Sequence, residues 1–254
     1  MAQPPTSGDR HATVLLDAGH GGPDPGAAGR TTAGTAVDER ALTLPIVADT
    51  SAILRTDGYR VVVSRTTNTS VTRLPTADLT ASGTLTAQGE HADTEARVTC
   101  ANLSGAGALV SVHLNAFADT SARGLLTTYD DGRPFSDANL RFAQVLDADV
   151  VAALHTAGWA VPDRGVASDT TLGAPSLTAE AHAYGHLLLL GPAASGWLDH
   201  PTTMPGVLVE PLFITNPAEA TVAASSAGQH AIAAGIAAAV EAFLPGTSSA
   251  PAGD

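Results

Sequence analysis

The sequence predicts an α/β fold: a mostly parallel, roughly six-stranded sheet flanked by helices. Three observations predict it. Short apolar runs alternate with longer stretches of helical periodicity along most of the chain. Most of those runs are continuous, which marks strands buried on both faces. Hydrophobic residues make up 44% of the 254 residues, enough for one sizeable core.

The apolar runs lie at 13–17, 60–64, 108–113, 124–129, 186–190 and 207–210. The first helical pattern spans about 39–56 and contains Pro45; a proline so placed sits near the first turn or kinks the helix. The second covers about 92–103. In the third, Leu140, Ala143, Leu146, Val150, Val151 and Leu154 share a face. The last runs from about 217 to 243, with Ile232, Ile236 and Val240 spaced by four. Residues 1–11 and 244–254 read as flexible tails, leaving 12–243 as one domain with inserts near 66–91 and 158–203.

Charge and composition exclude several functions. The formal net charge is -13 and the chain contains no lysine. Like charge opposes nucleic acid and anionic membrane surfaces. No apolar run approaches the roughly 18 residues that a membrane helix needs, so no membrane insertion is expected. Cys100 is the only cysteine, which excludes an internal disulfide and a cysteine-rich metal site; it is expected as a small buried apolar residue. The first ten residues are polar and lack the apolar core of a secretory signal. The expected location is outside the cell or in its wall, with any signal removed; the alternative is cytoplasmic synthesis with release by lysis. A monomer is expected.

Open α/β sheets bind ligands at the carboxyl ends of their strands. His20 follows the first run within Asp17-Ala18-Gly19-His20-Gly21-Gly22, His113 ends the third, and Glu210 ends the last. Glu39 stands near the start of the first helix, within reach of the same rim. Two imidazoles and one carboxylate make a three-ligand zinc site with a position open for water. Zinc lowers the pKa of that water to about 7, and a further carboxylate can accept its proton. Glu210 is the most telling of these residues, because a carboxylate after a buried apolar run is costly unless paired, exposed at the rim or functional.

Four motifs in this order resemble those of the zinc-dependent N-acetylmuramoyl-L-alanine amidases of the Amidase_3 type. They are Asp17-Ala18-Gly19-His20-Gly21-Gly22, Glu39 with Leu42 and Leu44, Ser111-Val112-His113-Leu114-Asn115, and Glu210-Pro211-Leu212-Phe213-Ile214-Thr215-Asn216. Arg97 with Ala101-Asn102 also fits. The resemblance implies that His20, Glu39 and His113 bind one Zn2+ ion and that Glu210 is the catalytic base. It implies hydrolysis of the amide between N-acetylmuramic acid and L-alanine, with peptidoglycan or a muropeptide as substrate. The alternative is a module of the same fold that binds or regulates the wall with little or no turnover.

Other polar residues carry weaker expectations. Asp38 is an alternative to Glu39 as ligand, and Asp17 is expected to support the first turn or orient His20. His182 and His186, four apart, would share a helix face and could begin a second metal site. His200 could line the cleft. His11, His91, His155 and His230 read as surface or satisfied structural residues. The segment 158–203, with Trp159, Trp197 and Tyr184, is expected to reach the catalytic edge as a wall of the cleft. A variant of that reading makes it a lid, with Glu180 competing for the open metal position.

Overall fold

A computed structural model of the protein describes residues 2–172 and 179–246, without the side chains of Ala179 and Glu180. The elements, in chain order, are β1 (Thr13–Ala18), β2 (Ala28–Arg30), β3 (Ala36–Asp38), α1 (Glu39–Thr56), β4 (Arg60–Val63) and α2 (Ala87–Ser104). Then come β5 (Ala108–Val112), β6 (Leu125–Tyr129), α3 (Ser136–Thr156), β7 (Asp163–Ser168) and α4 (Ala179–Tyr184). The chain continues through β8 (Gly206–Glu210), α5 (Pro217–Ala223) and α6 (Ser226–Phe243).

The main sheet has six strands in the order β4-β1-β5-β8-β6-β7. Strands β4, β1, β5 and β8 run parallel. β6 is antiparallel to β8, and β7 follows β6 in parallel. The carboxyl ends of β1, β5 and β8 therefore share one edge, and those of β6 and β7 lie at the other. A separate two-stranded ribbon pairs β2 with β3.

Side-chain alternation splits the core between the two faces of the sheet. Val14, Leu16, Val110, Val112, Val207 and Val209 face one cluster, built with Ile46 of α1, Phe142 and Leu146 of α3, and Ile232 and Ile236 of α6. Leu15, Val62 and Leu109 face the other, beneath Val98 of α2 and Leu189, Leu190 and Leu198 of the segment before β8. Side-chain oxygens cap four of the helices: Asp38 accepts from Ala41 N, Thr86 from Gly89 N, Asn216 from Ala218 N and Ser225 from Gly228 N.

Three expectations about elements change. The run 186–190 is not a strand. Gly191 N bonds Leu187 O at 2.8 Å, closing a turn, and Leu189 and Leu190 are buried under the sheet face. Consecutive leucines satisfy burial without strand pairing. The sixth strand is β7 instead. Its Asp163-Arg164-Gly165-Val166-Ala167-Ser168 lacks a continuous apolar run because it is an edge strand, exposed at its start. The last helical pattern breaks into α5 and α6, where Ser225 caps a new helix.

Both described ends are tied to the domain. Gln3 exchanges backbone hydrogen bonds with Val61 at 2.7 and 3.0 Å, and Arg10 meets Glu241 at 3.3 Å. Tyr59 donates its hydroxyl to Leu244 O at 2.7 Å. The expected tail residues 247–254 and the Glu180 side chain invoked for the lid lie outside the described residues. Cys100 is half-buried rather than buried, with a free thiol. No helix among the described residues is long and apolar enough to cross a membrane.

α6 crosses α3 at Gly235, where a Cβ would stand 2.5 Å from Val150 Cα. Helix propensity alone favours Gly235→Ala by about 1 kcal/mol. Overpacking opposes it by about 1–3 kcal/mol, because the nearest atoms are backbone. The variant is therefore expected to lower the midpoint of denaturant unfolding; a raised midpoint would show that the helices are free to separate.

Candidate metal centre and cleft

The loop after β1 brings the first histidine to the sheet edge. His20 takes a left-handed backbone, φ 62°. Gly19 lets the loop pass the third strand end, since a Cβ there would lie 2.4 Å from the His113 ring. Two buried guanidinium groups hold the loop. Arg97 of α2 donates to Asp17 at 2.7 Å, Ala18 O at 2.8 Å and His20 O at 2.6 Å, and pairs with Asp93 at 2.9 Å. Arg65 donates to Ala18 O and Gly19 O, each at 2.9 Å. Burial pushes the Asp17 carboxyl upward, but Arg97's charge and hydrogen bonds from Ser64 and Ser111 outweigh it and hold the group below its ordinary range.

Glu39 is the first residue of α1 and is buried. Its Oε1 accepts from Leu114 N at 2.8 Å and its Oε2 from Ala27 N at 2.9 Å, so backbone donors on both sides aim the carboxylate. It meets both histidines: His20 Nε2 at 3.1 Å and His113 Nδ1 at 3.0 Å. The two imidazole nitrogens are 3.1 Å apart. Each histidine faces a different oxygen of Glu39, and the three residues offer one ligand atom each within 4.8 Å of one another. Tetrahedral zinc with bonds of about 2.0–2.2 Å places its ligand atoms about 3.3 Å apart, so the donor set and its spacing fit that ion.

The electrostatics also favour a cation. Burial lowers the His20 pKa, but hydrogen bonds and charge from Asp24 and Glu39 prevail and push it up to about 10. Burial raises the Glu39 carboxyl, and the two histidines more than reverse this, leaving it far below the usual carboxylate range. Glu210 differs. Burial and the neighbouring Glu39 charge push it up to about 7. Asn115 Nδ2 donates to its Oε2 at 3.0 Å, fixing it beside the cluster.

The structure thus brings His20, Glu39 and His113 together, with Glu210 close enough to feel Glu39. Asp38 is not part of the cluster; it caps α1. Asp17 does not orient His20, because both its oxygens are engaged by Arg97 and by Ser111, at 2.7 and 2.8 Å. Asp24 takes that part, 2.7 Å from His20 Nδ1. It sits in Pro23-Asp24-Pro25-Gly26, a run of turn-forming residues. A carboxylate four residues after a candidate ligand was the available signal.

A cavity of about 280 Å³ opens from His20 and His113 along the α2 face of the sheet. Tyr184, Leu188 and Trp197 wall it. The insert does wall a cleft, but by a route the sequence reading did not foresee. Its far end enters β8 at the edge opposite Glu210, and the segment reaches the site by lying over the sheet face. His91 also lines the cavity and packs against Trp197 with the rings tilted by 37° and their centroids 4.0 Å apart. Its helical neighbours gave no sign of this, since the partner is about a hundred residues away in sequence. Trp159 packs instead against the other core cluster. His200 is exposed and does not line the cavity. His155 and His230 are held by Val161 O at 2.8 Å and Asp49 at 2.9 Å, and His11 lies 3.6 Å from Asp9.

On this geometry His20→Ala and His113→Ala are each expected to lower zinc content by about one ion per chain. Asp24→Asn is expected to weaken zinc affinity by about 10–100-fold. His182→Ala, at an exposed position, should leave metal unchanged. Metal analysis of the purified variants checks all four, and undiminished zinc in the first two would remove the site.

A family model described as N-acetylmuramoyl-L-alanine amidase, Amidase_3, matches residues 14–242. The chain is 28% identical over 254 residues to N-acetylmuramoyl-L-alanine amidase AmiC of Neisseria meningitidis, covering 92% of this chain and 53% of that protein. It is 31% identical over 242 residues to AmiA of Salmonella typhimurium, covering 88% and 73%. The chain therefore spans about half the length of the first relative. The CwlD amidase of Clostridioides difficile, solved in complex with the GerS lipoprotein, shares the fold with a TM-score of 0.66 and 21% identity, over 92% of this chain and 98% of that one. On the family match and the likeness to AmiA, this chain belongs to the N-acetylmuramoyl-L-alanine amidase family.

Proposed function

We propose that the protein hydrolyses the amide between N-acetylmuramic acid and L-alanine in peptidoglycan, with His20, Glu39 and His113 holding zinc and Glu210 as general base. The observation that carries this reading is the cluster of His20, Glu39 and His113, whose imidazole nitrogens lie 3.1 Å apart and each 3.0–3.1 Å from one oxygen of Glu39, with the Glu210 carboxylate held beside it by Asn115. Zinc bound there would polarise the scissile carbonyl and make water a better nucleophile near neutral pH.

The chain's own residues supply the proton transfers. A carboxylate beside the metal ligands can accept a proton from the attacking water and return it to the departing alanine nitrogen. Asn115 keeps the Glu210 carboxyl in place. Asp24 fixes the His20 ring so that Nε2 faces the cluster. Arg97 and Arg65 hold the loop that carries His20, although neither is required to touch substrate. The cavity beneath Trp197 and Tyr184 offers apolar walls with a few polar groups, which suits the stem peptide beside the reacting bond. Such a substrate places the site of action outside the cytoplasm, at the cell wall.

Purified wall treated with the protein is expected to release new amino groups without new reducing sugar ends. Glu210→Gln should retain zinc while turnover falls by about 10²–10⁴-fold or more. Near-normal turnover in this variant would remove Glu210 from the mechanism. Wall pelleting by the zinc-loaded protein without any amine release would instead make the chain a binding module.

A further inference from the structure

A second cluster stands at the opposite edge of the sheet, where β6 and β7 end. Asp130 follows β6, Asp169 follows β7, and His186 follows α4. Both carboxylate side chains are fully buried. Each spends one oxygen on a backbone donor: Asp130 Oδ1 accepts from Gly132 N and Asp169 Oδ2 from Leu187 N, both at 2.8 Å. The other two oxygens turn toward His186 Nδ1, Asp130 Oδ2 at 2.6 Å and Asp169 Oδ1 at 3.5 Å. These ligand atoms lie within 4.8 Å of one another. Among the described residues, Asp169 Oδ1 is buried without a hydrogen-bond partner. An orphaned buried carboxylate oxygen costs free energy unless a cation or proton meets it.

We propose that Asp130, Asp169 and His186 form a second binding site for a borderline divalent cation such as zinc, which pins the segment before β8 to the ends of β6 and β7. Two carboxylates and one imidazole match the donors that zinc accepts, with a fourth position left for water. Calcium is disfavoured, since it needs six to eight oxygen ligands, about twice what the cluster offers. The backbone donors at Gly132 and Leu187 already hold the carboxylates in place, as partners around a metal site do. His182 takes no part; it is exposed on α4, whereas His186 lies beyond the end of that helix. His186 also lines the cavity that reaches His20, so the cation would anchor the cleft wall that includes Tyr184 and Leu187. It joins the ends of β6 and β7 to a segment that Arg133 also holds, through Leu190 O at 3.0 Å and Gly191 O at 2.9 Å, and so acts on the cleft through position rather than chemistry. A proton shared by the two carboxylates is the competing occupant.

The test separates this site from the first. A His20→Ala/His113→Ala double variant, stripped with chelator, is titrated with zinc alone. It is expected to keep about one tightly bound zinc per chain. Hydrogen exchange of the backbone at 181–190 should slow when zinc is added. Adding Asp169→Asn should abolish both effects while leaving the far-ultraviolet circular dichroism unchanged. Failure of the double variant to retain zinc, with the fold intact, would overturn the proposal and favour the shared proton. Retained zinc that Asp169→Asn does not displace, or that leaves exchange at 181–190 unaltered, would overturn it too. Should Asp169→Asn not fold, zinc-dependent slowing in the double variant decides alone. None of these outcomes bears on the amidase reading, whose metal centre the double variant removes.

Discussion

The Arg97 guanidinium is the constraint on which the first ligand depends. It lies buried between β1 and α2, with Asp17 and Asp93 balancing its charge. Its remaining donors go to the carbonyls of Ala18 and His20, on either side of Gly19. That loop leaves the strand at once and turns left-handed at His20. Backbone in this region costs about 1–3 kcal/mol for a residue other than glycine and persists only when its surroundings impose it. Arg97 and Arg65 impose it together. Removing one partner of a buried ion pair typically costs about 3–5 kcal/mol, so the clamp carries stability as well as position. It also joins β5 to the loop, because Asp17's other oxygen accepts from Ser111, two residues before His113.

Strand direction determines what lies at each edge. β1, β5 and β8 run parallel, so His20, His113 and Glu210 arrive together. α1 begins beside them and delivers Glu39 at its first residue. β6 runs the other way, which puts its end and that of β7 at the far edge, with Asp130 and Asp169. The segment between β7 and β8 starts and finishes there. It has no crossover to make, and it spends its apolar residues covering the sheet face that α2 leaves open. The cavity is what remains between that cover, α2 and the strands. One face of the sheet is thus a packed core shared with α1, α3 and α6, and the other is partly a cleft.

Much of this was legible in the sequence, for identifiable reasons. Continuous apolar runs mark central strands, and five of them are strands of the sheet. A polar residue at or just beyond the end of such a run sits at the rim, which pointed to His20, His113 and Glu210. Glu39 was legible because a helix start adjoins the same rim. The failures share a cause as well. β7 is an edge strand and needs no apolar run, whereas 186–190 has one and buries it in a turn. The antiparallel turn of β6 is not encoded in any local pattern, so the edge reached by the insert could not be foreseen. Asp24, His91, Asp130 and Asp169 look like loop or surface residues in sequence. Their importance arises from partners that only the folded chain supplies, namely His20, Trp197 and His186.

The central claim is that three side chains, two just beyond the ends of β1 and β5 and one at the start of α1, hold one zinc ion beside Glu210. An anomalous-difference map collected at the zinc edge from crystals grown with zinc tests it most directly. The account predicts density within about 2.0–2.2 Å of His20 Nε2, a Glu39 oxygen and His113 Nδ1, with Glu210 outside the bonded set. Absence of density at that cluster in zinc-replete crystals would contradict the account, as would an ion there bonded to Glu210 in place of Glu39.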